Sequence, residues 1–83
     1  MDDVQVPIAE IYVPTKRRAT LNPDHVAELA ESILENGMQV PINVRHDQDK
    51  ERYVLVEGLH RLEACKALGE ESITAIIVRA RQH

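Results

Sequence analysis

One stretch limits the fold more than any other: Tyr53-Val54-Leu55-Val56-Glu57-Gly58-Leu59-His60-Arg61-Leu62-Glu63-Ala64-Cys65-Lys66-Ala67-Leu68-Gly69. Its first half is β-branched and apolar on both faces, its second half carries apolar residues at helical spacing, and Gly58 stands between them. That order predicts a strand, a tight turn and a helix. The opening turn of a helix exposes free backbone N–H groups and partial positive charge, so Asp, Glu, Ser or Thr is expected there. This helix opens with His60 and Arg61 instead. Each cation set against the dipole costs roughly 0.3–1 kcal/mol when exposed, unless an anion offsets the repulsion. Gly58 to Arg61 therefore reads as an anion site, with phosphate as its natural occupant. Arg61 can fork two phosphate oxygens. His60 can donate to an anion or move a proton near neutral pH. Glu57, at the carboxyl end of the strand, is a candidate Mg²⁺ ligand or catalytic base. Plainer readings stand beside these: Gly58 as an ordinary turn, His60 as a structural histidine and Glu57 as a plain turn carboxylate. The plainer reading of Arg61, set behind the anion because the arginine stands at a helix start, is an exposed pair with Glu57 or another acidic residue, worth about 0–1 kcal/mol.

Upstream, Val4–Ile8 and Glu10–Val13 are β-rich but punctuated by Pro7 and Pro14, which suits one or two short edge strands. Thr15 to Thr20 reads as a loop carrying the consecutive basic residues Lys16, Arg17 and Arg18. Such a run is a solvated loop, or a second phosphate contact should it fold toward Gly58. Asn22, Pro23 and Asp24 mark a helix start. Val26, Leu29, Ala30, Ile33 and Leu34 then form one apolar stripe, and Asn36-Gly37 ends the helix by supplying a left-handed residue. Met38 to Pro41 leads into a strand at Ile42–Arg45, a hairpin loop at His46–Glu51 and an antiparallel partner at Arg52–Glu57. Gly69 closes the second helix, and Ser72–Arg79 reads as a last strand with Ile73, Ile76, Ile77 and Val78 largely buried. The order predicts an α+β fold, a small mixed sheet with two main helices, as one domain over residues 1–83.

Composition narrows the chemistry. With two Tyr and no Phe or Trp among 83 residues, the core is aliphatic. A net charge of −4 argues against a broad basic surface for nucleic acid, though not against a local patch. Three glycines leave no Walker A loop or dinucleotide fingerprint. Four His and one Cys show no zinc-ligand spacing. The scarcity of aromatics removes the stacking platforms used on single strands. Cys65, mid-helix, reads as a buried, inert thiol. A lone cysteine, with no signal peptide or membrane-length apolar run, predicts a cytoplasmic protein without membrane association.

The same residues resemble the ParB/sulfiredoxin superfamily, which includes partition-protein N-terminal domains, called "ParB-like nuclease" domains, and the redox repair enzyme sulfiredoxin. Glu28 to Gly37 followed by Pro41-Ile42-Asn43-Val44 is similar to the family's helix, its S-I-x-x-x-G ending and its P-I-x-V strand. Val56 to Ala64 resembles its phosphate-binding turn. The resemblance runs from Val6 to Val78 and implies nucleotide binding: CTP as in partition proteins, or ATP as in sulfiredoxins and serine-kinase relatives. By position, Gly58, Leu59, His60 and Arg61 would line the phosphates, and Arg18 would match an arginine before the first helix. Sulfiredoxins place their catalytic cysteine where Leu59 stands, so that reductase activity is not expected. Partition proteins usually carry arginine where His60 stands, and their helix-turn-helix would follow the last strand, so DNA contacts would fall to flanking domains. Three functions remain open: a regulatory nucleotide-binding module, a DNA-associated or protein-interaction domain that dimerises through edge strands or the first helix, and a triphosphatase or kinase with Glu57 as base.

Overall fold

The computed structural model describes residues 3–37 and 40–79. Met38 and Gln39, in the expected approach to the central strand, lie outside that range. The elements run β1 (Asp3–Pro7), a 3-10 turn (Ile8–Glu10), β2 (Ile11–Tyr12), α1 (Thr15–Arg18), α2 (Pro23–Asn36), β3 (Ile42–Asp47), β4 (Arg52–Glu57), α3 (Leu59–Ala67) and β5 (Ser72–Ile77). They form one mixed sheet in the order β1-β5-β3-β4-β2. β1 pairs antiparallel with β5 and β3 with β4, while β3 runs parallel to β5 and β2 to β4. The proline-punctuated strands are the two edges, where a missing N–H breaks no ladder.

The sheet is two-faced. Val6 and Ile73 pair across β1 and β5 and join Ile42, Val44, Leu55, Leu59, Leu62 and Cys65 in one core cluster. One residue out of phase, Gln5 Nε2 donates to Thr74 Oγ1 at 2.6 Å, and Ser72 Oγ donates to Gln5 Oε1 at 3.1 Å. At the far edge of the sheet the Arg52 guanidinium lies 4.1 Å from the centroid of the Tyr12 ring. Along β1, period-2 alternation thus sends Val6 to the core face and Gln5 to the opposite one, where Val54 of β4 is also buried.

On the apolar face the helices stack in sequence. α3 lies on the sheet and buries Leu59, Leu62, Ala64 and Cys65, and α2 packs chiefly on α3. This second tier explains why no residue of α2 is fully buried. The stripe predicted for it is half-covered at Val26, Leu29, Ala30 and Ile33. Leu34 is 75% exposed: nine-residue α3 is shorter than fourteen-residue α2.

The ends of the helices follow their sequence signals. Asn22 Oδ1 accepts from the N–H groups of Asp24 (3.0 Å) and His25 (3.3 Å), capping α2, and Pro23 fills the first position, where no N–H is needed. Gly37 stops α2 at φ 78°, ψ 168°, which is not the left-handed helical conformation expected but the extended region open only to glycine. α3 ends in a Schellman arrangement: Glu70 N–H donates to Cys65 O and Gly69 N–H to Lys66 O, both at 3.0 Å, with Gly69 at φ 79°.

Three further expectations are corrected. The loop predicted at 15–20 contains a helical turn, closed by Arg17 N–H and Arg18 N–H donating to Pro14 O and by Thr20 Oγ1 donating to Arg17 O at 2.7 Å. Its three cations sit in the last turn of α1, where the helix dipole favours them. β3 runs two residues past its predicted end, because Asp47 pairs with Arg52 (3.6 Å) and the His46 ring packs 5.1 Å from that of Tyr53. In β5 the fully buried partner of Ile73 is Ala75, while Ile76 is half-covered and Ile77 exposed. The prediction treated this strand as covered on both faces, and only one is.

Candidate functional site

Gly58 makes the junction between β4 and α3. It takes φ 110°, ψ 30°, a left-handed conformation that costs other residues roughly 1–2 kcal/mol. A Cβ placed there would lie 2.6 Å from Ile42 Cγ2 and 3.2 Å from Ile42 Cα. Glycine is required at this turn for two independent reasons. Among the described residues no side chain caps α3, and no acidic residue lies in its first turn. The N–H groups of its first turn have no intrahelical acceptor, so the helix start offers donors and positive potential with no internal anion.

Around that start is an open cleft of about 410 Å³, lined by Arg17 and Thr20 near α1, His25 and Leu29 of α2, and Gly58, Leu59, His60 and Arg61. Leu59 also belongs to the core, so the cleft has an apolar floor beneath cationic and hydrogen-bonding walls. Arg61 borders a second cleft of about 300 Å³ with Val40, Pro41, Asn43, Glu57 and Ile76. The helix start is therefore open on both sides of Arg61 and not plugged by the protein's own side chains.

The sequence-based candidates divide between these spaces. Gly58, Leu59, His60 and Arg61 share the first cleft. Glu57 stands in the second and meets the others only through Arg61. Arg18 lines neither: it faces a groove with Leu21, Leu59, Glu63 and Lys66 and another beside Tyr12 and Arg52. The basic residue of α1 in the cleft is Arg17, accompanied by Thr20. Residues three apart share a helix face and adjacent ones diverge by about 100°, so the spacing held this signal, which the loop assignment concealed.

His25 was also missed. Its ring stands edge-on to His60, with centroids 4.9 Å apart and an interplanar angle of 63°. His60 is held from the other direction, since Asn22 N–H donates to its Nε2 at 3.0 Å. Cys65 lies deeper in α3, 4% exposed; burial and then the Glu70 carboxylate raise its pKa above the ordinary thiol value. A neutral, enclosed thiol is no nucleophile. Among the described residues no group of three or more His, Cys, Asp or Glu side chains could hold a metal ion, and no helix is long and apolar enough to cross a membrane.

A five-stranded mixed sheet carrying one helix, with a second helix upon that and cationic side chains gathered where the inner helix begins, defines the ParB/sulfiredoxin class of α+β domains. The chain belongs to the ParB N-terminal domain family, whose model matches residues 1–83. It is 39% identical over 75 residues to the nucleoid occlusion protein of Halalkalibacterium halodurans, covering 88% of this chain and 25% of that protein. Sulfiredoxin from Arabidopsis thaliana superposes with a TM-score of 0.83 at 32% identity, over 96% of this chain and 88% of that one. The C-terminally truncated chromosome-partitioning protein ParB from Caulobacter crescentus, complexed with CTP-gamma-S, also gives a TM-score of 0.83, at 25% identity, over 99% of this chain and 47% of that one. The domain is thus related to chromosome-partitioning and nucleoid occlusion proteins. It spans 16–26% of the length of the curated relatives it matches.

Proposed function

We propose that this domain binds a nucleoside triphosphate, CTP or ATP, at the start of α3, and does so as a regulatory module of a partition or nucleoid-occlusion protein. The observation that carries the reading is convergence: Arg17, Arg61 and the unsatisfied amides of α3 meet in one cleft that, among the described residues, is lined by no carboxylate. The similar Caulobacter ParB, complexed with CTP-gamma-S, supports the choice of ligand. Gly58 brings the backbone to the phosphates, Arg61 and Arg17 supply charge, and His60 supplies a neutral donor. Arg18, outside the cleft, acts on the ligand only indirectly. Mg²⁺ would come with the triphosphate and reach Glu57 only across Arg61. Binding, not turnover, is the activity proposed, because the sole nominated base is in the neighbouring cleft. DNA contacts are assigned to other parts of the protein, in keeping with the charge of −4 on this stretch.

A thermal-shift titration with CTP, ATP, GTP and inorganic phosphate, each with and without Mg²⁺, tests the proposal. Saturation to a hundred times Kd stabilises by about 2.7 kcal/mol, which raises Tm by roughly 10–20 °C in a domain this small. Arg61→Ala is expected to abolish the shift. The reading is wrong if no nucleotide moves the wild-type Tm or if Arg61→Ala responds as wild type does.

A further inference from the structure

We infer that His60 is a positioning residue: uncharged, with its proton on Nδ1, it fastens the start of α2 to the start of α3, and protonation of Nε2 undoes the fastening. Nε2 accepts the Asn22 N–H at 3.0 Å. Only a bare ring nitrogen accepts, so the bond selects the neutral Nδ1–H tautomer.

Asn22 makes the contact consequential. Its Oδ1 is engaged by Asp24 and His25 N–H, and its carbonyl accepts from Val26 N–H at 3.1 Å. The cap is thus turned inward on α2, and its own N–H is left to reach α3 through His60. Both helix starts line the proposed ligand cleft, α2 through His25 and α3 through Gly58 to Arg61. The imidazole thereby sets the spacing between the cleft's walls.

The surroundings of the ring decide the direction of the switch. His25 of α2 stands beside it, Asp24 lies in the same helical turn of α2, Arg17 reaches in from α1, and Arg61 follows it on α3. Glu57 of β4 lines the adjoining space with Arg61. A proton on Nε2 would face the Asn22 N–H donor head-on, in a cleft already lined by the Arg17 and Arg61 guanidinium groups and against the α3 dipole. Protonation of Nε2 therefore releases the α2 start. The fastening does not depend on what the cleft binds. Its effect on a ligand rests on the proposed function: with the ring uncharged, His60 presents only Nδ1–H to an anion, and the charge comes from Arg17 and Arg61.

Long-range ¹H–¹⁵N spectra of the labelled protein report the tautomer, and exchange of the Asn22 amide, corrected for intrinsic pH dependence, reports the bond. At pH 8 His60 is expected as Nδ1–H. Between pH 8 and 5.5 the Asn22 protection factor should fall about fivefold, the net worth of one hydrogen bond, with the midpoint of the His60 titration. His60→Gln puts a neutral amide oxygen near the Nε2 position and should keep the protection while erasing the pH step. His60→Phe should lose the protection at every pH. An Nε2–H tautomer at pH 8, an unchanged Asn22 amide through the titration, or a pH step surviving in His60→Gln would each overturn the inference. In a parallel CTP titration, absence of binding with these signals intact counts against the proposed function alone.

Discussion

Replacing Gly58 by alanine adds one methyl group at the point where β4 becomes α3, and two separate costs follow. The residue takes φ 110°, which is worth roughly 1–2 kcal/mol against a side chain. The new Cβ would also lie 2.6 Å and 2.9 Å from Ile42 Cγ2 and Cβ. Ile42 is almost wholly buried in the centre of the sheet, so it cannot swing away, and overpacking of this kind costs about 1–3 kcal/mol. The expected loss is about 2–5 kcal/mol, from a total of roughly 4–12 kcal/mol for a chain of this length. In a domain this small that corresponds to a fall in Tm of roughly 10–30 °C. Gly69→Ala supplies the control, because Gly69 has φ 79° but no atom within 4 Å of an added Cβ. It should cost only the conformational part, about 1–2 kcal/mol. Urea unfolding of both variants measures the difference. Equal destabilisation of the two would refute the claim that the backbone of β3 and the α3 turn are in contact too close for any side chain.

Two other outcomes are expected. Leu62→Ala, at a position with no exposed surface beneath α3, should lose about 2–5 kcal/mol in urea unfolding, since the sheet below cannot collapse into the void; a loss under about 1 kcal/mol would mean α3 does not seat on the sheet as described. Cys65 should resist thiol reagents at pH 8 in the native state and react on unfolding. Its raised pKa favours the neutral thiol in the folded protein, so that contribution to stability is fully present below the ordinary thiol value of 9.0. It is lost as pH rises through the folded value. Stability that climbs between pH 8 and 10, or fast native labelling, would show the thiol is not enclosed.

Much of this was legible because local signals act alone. Asn22-Pro23 at the head of α2 and Gly58 before α3 need no tertiary partner to state what the chain does there. Leu34 illustrates the limit, since periodicity marks an apolar face without saying whether another element is long enough to cover it. Ala75 shows another: a strand of isoleucines reads as buried throughout until the pairing of β1, β5 and β3 decides which face meets α3. The site divides the same way. The cationic start of α3 is written in consecutive residues. The choice of Arg17 over Arg18 depends on the phase of a four-residue helix, and the bond from Asn22 to His60 spans thirty-eight positions, beyond any pattern in the sequence.

The ten positions from Val4 to Val13 supply both borders of the sheet. β1 closes it beside β5 and β2 closes it beside β4, with Val6, Ile8 and Val13 sunk into the common interior. A chain released from its amino end could hold the hairpin of β3 and β4 and little more until β5 arrives, since Val6 must wait for Ile73, sixty-seven residues later in the sequence. Assembly is therefore a late, cooperative closure from both flanks, and proteolytic trimming of a short leading segment would strip the two margins together, leaving bare strands that invite self-association.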